Sequence, residues 1–454
     1  MDINQVLNIG YHFFILLIIF VVAYAISRVP ILRRFFLPVS LIAGLILLLL
    51  GPQIAGQFFP QYALTSEMYE VWKPLPGLLI NVVFACLFLA HPIISLKKIW
   101  KLAGPQVSYG QMVAWGHYLV GGLVTLLILM PIFNEKPIIA SLLEASFEGG
   151  HGTVAGLSGV YQNFDFIYGQ EIGNALATAS LVTAIIIGVV LINIGKRKEW
   201  LKHHGGRRKN YHYTMLHALE RKSRIIRDRL SFKIVIKHLI LIGISIGLGL
   251  ILRQLLINLE TPLGIYLFRY LPTFPLCMLG GLIVNAICVK LKIHVSHTAN
   301  DMISKIALGV LICTAIGTMS LDFISQGGMN SFIILYIAGI VWIFTAMILF
   351  ARKMFQRNWF ENTIISFGQS MGMTATGLLF AQIVDPNNKT EAVDAFGYKQ
   401  LMFEPFMGGG LVTAIAIPTI VAIGLPMFTV ICGAIVLFWC LLGIFYFGKR
   451  NAKL

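Results

Sequence analysis

The sequence has 454 residues, 57% of them hydrophobic and 12% charged, where an ordinary soluble domain is about 25% charged. A soluble chain of this length needs far more polar surface, so the composition excludes one and predicts a chain embedded in a membrane throughout. The net charge of +16 does not mark a nucleic-acid binder: residues 196–233 hold 13 Lys/Arg against 3 Asp/Glu, supplying +10 of it, and the rest lies in short loop clusters rather than on one basic face.

Met1–Gly10 carries no Lys or Arg ahead of the first apolar run, while Arg28, Arg33 and Arg34 follow it. That asymmetry predicts a retained first span with the N-terminus outside. Apolar runs near bilayer length predict spans at 10–27, 36–51, 75–92, 106–130, 170–195, 234–257, 273–290, 304–321, 330–350, 399–417 and 424–447. Two further glycine-rich stretches, 138–160 and 361–383, read as re-entrant, entering and leaving on one side. The basic clusters Lys97/Lys98/Lys101, 196–233, Arg352/Lys353/Arg357 and Lys449/Arg450/Lys453 then all fall inside, with the C-terminus. The poorly basic segments 52–72 and 258–272 fall outside. Were either glycine-rich stretch a full span, the 196–233 loop or the 351–357 cluster would lie on the wrong side.

The fold class expected is an all-α polytopic membrane protein with two inverted five-helix repeats, each with a re-entrant segment, plus one extra C-terminal transmembrane helix. Residues 1–195 form the first repeat, 196–233 a basic cytoplasmic linker, 234–417 the second repeat, and 418–454 the added helix and tail. Because five is odd, the second repeat is inverted. Inverted repeats with discontinuous helices near the midplane are the architecture of many secondary transporters. Tyr213–Arg227 in the linker reads either as a basic helix on anionic lipid or as a solvated linker. Six cysteines lie in apolar runs without a C-x-x-C pair and read as small buried hydrophobes. No phosphate-binding loop, dinucleotide fingerprint, H-E-x-x-H or nucleophile elbow occurs, so neither an ATP-driven pump nor an enzyme is expected.

Candidate chemistry concentrates in the two broken stretches. The first contains Glu148-Gly149-Gly150-His151-Gly152-Thr153, the second Gly368-Gln369-Ser370-Met371-Gly372-Met373-Thr374-Ala375-Thr376. Glycines let the backbone turn tightly and approach a ligand, and free N–H groups there can hold an anion. Such segments can bind a carboxylate through backbone dipoles and sodium through carbonyl oxygens. The plainer alternative is that Gly, Ser and Thr serve close helix packing. The expected substrate- and ion-binding residues are Gly149, Gly150, His151, Gly152, Thr153, Gly368, Gln369, Ser370, Gly372, Thr374, Ala375 and Thr376, with no particular residues assigned to a sodium site. Glu148 and Glu404 are candidate coupling acids, since intramembrane carboxylates are costly and usually functional. Against that stand a solvated loop mouth for Glu148 and a hydrogen-bonded helix start for Glu404. Glu171 reads as a first-turn residue favoured by the helix dipole, and His203, His204, His294 and His297 as surface histidines.

Gly149-Gly150-His151-Gly152-Thr153 resembles the G-G-H-G-T motif of the bacterial glutamate:sodium symporters. The likeness continues through Glu171, Ala177-Thr178 and Leu181-Val182, and more loosely through Gly372–Thr376, Pro405 and Gly408, covering residues 10–417. It implies a homodimer in the bacterial cytoplasmic membrane, with scaffold and transport domains. It also implies sodium as the coupling ion, no other cofactor, and uptake of glutamate or a related small carboxylate. A carrier of the same fold for another organic anion, one driven by protons through Glu148 or Glu404, a passive channel, and an intramembrane enzyme, for which no nucleophile–base pair is seen, are the alternative readings. The sequence departs from the family pattern at Glu148 (Ser there), Val154 (Gly), Gly377 (Pro), Thr413 (Asp) and Glu404 (an apolar residue). Two added carboxylates repel a dicarboxylate unless they are protonated, paired or metal-bound.

Overall fold

A computed structural model describes residues 3–29, 37–90, 96–201, 231–263, 268–325, 328–355, 357–385, 390 and 392–448. The expected basic clusters at Arg33/Arg34 and Lys449–Lys453, His203/His204 and most of the 196–233 linker lie outside them. Every regular element among the described residues is helical. The principal helices are α1 (Ile3–Ser27), α2 (Val39–Leu49), α3 (Ser66–Trp72), α4 (Leu75–Phe88) and α5 (Leu96–Val124), which runs through a π-turn to Phe133. Then follow α6 (Leu142–Phe147), α7 (Gly150–Gly156), α8 (Ser158–Asn163) and α9 (Gly169–Arg197). The second half holds α10 (Phe232–Leu263), α11 (Phe274–Lys290), α12 (His297–Gly317), α13 (Gly328–Thr345) and α14 (Trp359–Met371). It ends with α15 (Thr374–Val384), α16 (Ala392–Phe403), α17 (Leu411–Ile423) and α18 (Leu425–Leu441).

Among the described residues, 8 helical stretches are long and apolar enough to cross a membrane, and four shorter apolar helices accompany them. Two expected spans, 36–51 and 273–290, appear as the shorter helices α2 and α11. The span expected over 399–417 is corrected: it is two helices, α16 and α17, parted at Glu404–Gly410. Gly408 and Gly409 there have φ of +65° and +106°, a left-handed backbone that a side-chain-bearing residue resists. Apart from Lys399, Gln400 and Glu404 the run is largely apolar, which is why its hydropathy reads as one span.

The helices sort into two packed groups. The largest core cluster joins α5–α9 to α13–α18. Smaller clusters hold α1–α4 with α10–α12, one of them also taking in Leu181 and Ile185 of α9 where the groups meet. The outward faces of α1, α10, α13 and α18 expose Phe14, Leu17, Ile240, Ile251, Val341 and Val430, the pattern of a lipid-facing surface. Lipid tails are as apolar as leucine, so close packing rather than water exclusion draws such helices together. On α11, a Cβ at Gly280 would lie 2.1 Å from the Ser245 carbonyl oxygen, and one at Gly281 2.2 Å from that of Ala85. α11 therefore meets α10 and α4 backbone against backbone. Asn300 of α12 donates from Nδ2 to the Cys86 and Leu89 carbonyls at 2.8 and 2.9 Å, satisfying the end of α4, where helical carbonyls lack partners. Five of the six cysteines are buried and none is paired.

Three breaks between helices come together where the two groups face each other. The α6–α7 break turns at Gly150, with φ +68°. A Cβ there would lie 3.5 Å from the Gly372 carbonyl oxygen, in the α14–α15 break. A Cβ at Gly408, in the α16–α17 break, would lie 3.1 Å from the Glu148 carbonyl oxygen. Irregular backbone among apolar helices is stable only where protein or a water-filled cavity covers it, and here the breaks cover one another beside a cavity.

Candidate functional site

That cavity measures about 690 Å³ and lies between α4 and α12 on one side and α7, α15 and α16 on the other. Its polar wall includes Glu148, His151, Gln369, Thr374, Gln400 and Glu404. At its open end stand His297, Asp301, Lys305 and Asp394, with the exposed Lys305–Asp301 pair at 2.6 Å. A second, smaller pocket of about 220 Å³ lies beside Gly77, Gly156, Arg253 and Arg269. Ile80 lines both. Between them Phe84 and Phe274 meet edge-to-face at 4.9 Å, and the Thr153 hydroxyl donates to the Gly149 and Gly408 carbonyls at 3.2 Å each.

The wall is held by one polar chain that crosses all three breaks. Gln369 donates from Nε2 to Glu148 Oε2 at 2.5 Å and accepts at Oε1 from Lys399 Nζ at 2.7 Å. Lys399 also donates to Gln400 Oε1 at 2.7 Å. Gln400 Nε2 donates to Glu404 Oε1 at 2.9 Å and to Thr374 Oγ1 at 2.6 Å, and Thr374 in turn donates to Glu404 at 2.7 Å. Each glutamine thus turns its amide nitrogen to a carboxylate and its oxygen to the ammonium, the only orientation in which no donor faces a donor. Lys399 is fully buried, with Nζ 3.6 Å from the centre of the Phe403 ring. On the far side of Glu148, Nδ1 of the fully buried His117 approaches Oε1 at 3.4 Å without forming a hydrogen bond.

A further carboxylate, fully buried, braces the site from behind. Glu144 on α6 accepts from Tyr118 at 2.7 Å, from the Gly408 N–H at 2.8 Å and from Thr413 at 3.0 Å. It ties the first break to the third, and it does not line the cavity.

His151 is set by a second small chain. The Thr178 hydroxyl donates its one proton to the Asn174 carbonyl at 2.8 Å, so it accepts from His151 Nε2–H, also at 2.8 Å. Nδ1 of this buried ring is then a bare acceptor, and it has no hydrogen-bond partner.

The expected residues divide into two sets. Glu148, Gly149, Gly150, His151, Gly152, Gln369, Thr374 and Glu404 line the cavity. Thr153 lies behind the wall on Gly408, while Ser370 and Thr376 are buried off it. Gly368 serves packing, since a Cβ there would lie 2.5 Å from Phe380, and one at Gly372 would lie 2.7 Å from Thr376 Oγ1. Ala375 lies in the first turn of α15. The solvated mouth considered for Glu148 does not hold, because its side chain is buried and paired. His297 is exposed, as a surface histidine should be, but it stands at the cavity's open end. Sequence reasoning missed His117, Glu144, Lys399 and Gln400. Lys399, Glu144 and His117 each sit in an apolar stretch, and an ionisable residue in a span is a signal in itself.

A family profile described as sodium/glutamate symporter matches residues 6–385. A comparison with curated proteins gives no match.

Proposed function

From the premise that this chain belongs to the sodium/glutamate symporter family, and is therefore a transporter rather than an enzyme, we propose that it couples sodium to the movement of glutamate or a related small carboxylate. The substrate site is the cavity at the three breaks. The observation that carries this is the meeting of both glycine-broken segments on the polar side of one otherwise largely apolar chamber. Substrate sites of many secondary transporters form in the same way, from discontinuous helices near mid-membrane.

In this reading the two broken segments are re-entrant and belong to inverted halves, with α18 outside the repeat. The group built from α5–α9 and α13–α18 moves as the transport body against α1–α4 and α10–α12. The cavity opens beside His297 and Lys305 at the start of α12, the helix that follows the basic end of α11 at Lys290, the side that positive charge holds in the cytoplasm, so this conformation faces inward. Phe84, Phe274 and the Thr153–Gly408 bond close the other side. The first N–H groups of α15 receive a substrate carboxylate, and His151 Nδ1 accepts from an α-ammonium. The repulsion expected of Glu148 and Glu404 is relieved by pairing, since Lys399 lies one glutamine from each.

The test is uptake of labelled glutamate by proteoliposomes with and without an inward sodium gradient. Sodium-stimulated accumulation is expected. Its absence sinks the sodium–glutamate reading, and equilibration without accumulation indicates a channel.

A further inference from the structure

We propose that Lys399 is a tethered cation that permanently fills a cation-binding position at the meeting of the broken segments, so that this carrier takes up one sodium ion fewer per substrate than its frame can hold. The Nζ environment is that of a cation site. Two amide carbonyl oxygens, Gln369 Oε1 and Gln400 Oε1, lie at 2.7 Å, the face of Phe403 at 3.6 Å, and the residue is wholly buried. Amide carbonyls are hard oxygen donors of the kind small cations take, and an aromatic face attracts a cation electrostatically. Beyond the amides stand Glu148 and Glu404, each one hydrogen bond further out. His117 lies behind Glu148, and Glu144 braces from α6. Two carboxylates in low dielectric call for a counter-charge, and the chain provides one covalently.

The neighbouring backbone makes room for it. A Cβ at Gly110 on α5 would lie 2.4 Å from Lys399 Cε and 3.1 Å from Nζ. The lysine stem thus crosses α5 at a glycine, where any larger side chain would displace it. Lys399 itself lies behind the cavity wall, enclosed by the two amide oxygens and the Phe403 ring.

Lys399→Ala removes the charge and empties the stem's volume, leaving the two carbonyls and both carboxylates for an ion from solution. Lys399→Met removes the charge and keeps the volume filled. In proteoliposomes, Lys399→Ala is expected to take up about one more sodium ion per glutamate than the parent, replacing one charge by one charge, and to show a steeper sodium curve. Lys399→Met is expected to lose uptake without gaining sodium dependence. An unchanged sodium coefficient in an active Lys399→Ala protein overturns the proposal.

Where Lys399→Ala does not survive in ordinary buffer, it is purified in sodium chloride and, in parallel, in choline chloride. Selective recovery and a sodium-dependent rise in melting temperature absent from the parent support the tethered cation; equal behaviour in the two salts overturns it. The transport arm rests on the symporter reading, but the stability arm does not. A parent without sodium-stimulated uptake defeats that reading alone, and sodium-specific stabilisation of Lys399→Ala still decides this one.

Discussion

Glu148 and Gln369 belong to different broken segments, stand 221 positions apart in the chain, and share a hydrogen bond of 2.5 Å. Through it the first segment is joined to the second, and through Lys399 to the third break. Removing the amide cuts this link, while Glu144 and Thr153 still hold the first break to the third and Thr374 holds the second to it. Gln369→Leu leaves Glu148 and Lys399 each short of a buried partner and is expected to destabilise the protein by about 3–5 kcal/mol, the usual effect of breaking a buried charge network. Thermal unfolding in detergent measures this, and a melting point within a degree or so of the parent would count against the network.

Glu144 and Glu148 are one helical turn apart but have separate tasks. Glu144→Ala strands the Tyr118 hydroxyl, the Gly408 N–H and the Thr413 hydroxyl, at about 1–3 kcal/mol for each unmet buried group. Its surviving folded fraction should keep the parental sodium curve, because Glu144 does not line the cavity. Glu148→Gln, which sits in the wall, is expected to shift that curve. Identical sodium curves for both variants would show that the two acids are not so divided.

His151 Nδ1 is an unpartnered acceptor on a residue of the cavity wall. His151→Ala is expected to raise KM for glutamate about tenfold, the worth of one good hydrogen bond, with a smaller effect on glutarate, which lacks the amino group. Competition of each compound against labelled glutamate reads the difference. Equal loss for both would remove His151 from amine recognition.

At the α16–α17 break, Gly408→Ala places a side chain on a left-handed backbone, a strain of about 1–2 kcal/mol. Gly409→Ala adds collision, since its Cβ would lie 2.4 Å from Thr153 Oγ1 and 2.7 Å from Phe84. The expected order of melting temperatures is parent, then Gly408→Ala, then Gly409→Ala. The reverse order of the two variants would contradict the described geometry.

Phe274 separates the 220 Å³ pocket from the 690 Å³ cavity. Phe274→Ala is expected to let preloaded glutamate leave proteoliposomes without a sodium gradient, measured as efflux of label. Parental tightness would place the barrier elsewhere.

Much of this arrangement was legible in the sequence because hydropathy and charge act locally. The long helices, the broken stretches near Gly150 and Gly372, and the odd carboxylates Glu148 and Glu404 all stand out from their immediate neighbours. The α16–α17 break did not, although Gly408-Gly409-Gly410 marks it, because three glycines in an apolar run barely change its mean hydropathy. Lys399 was hidden for a different reason. Taken as the first residue of a span, it looks like a loop cation at the membrane surface, and only the fold shows α16 carrying it inward between Gln369 and Gln400. Partnerships such as Glu144 with Gly408 join residues 264 positions apart, and no spacing rule reaches across that distance.

Gly110 and Lys399 bear on how relatives of this carrier can differ. A lineage that keeps the lysine must keep position 110 bare, while one that loses it is released to fill the space with a side chain or leave it to an ion. The two positions should therefore vary together across homologues. A set of sequences in which lysine at 399 coexists freely with bulky residues at 110 would break that coupling.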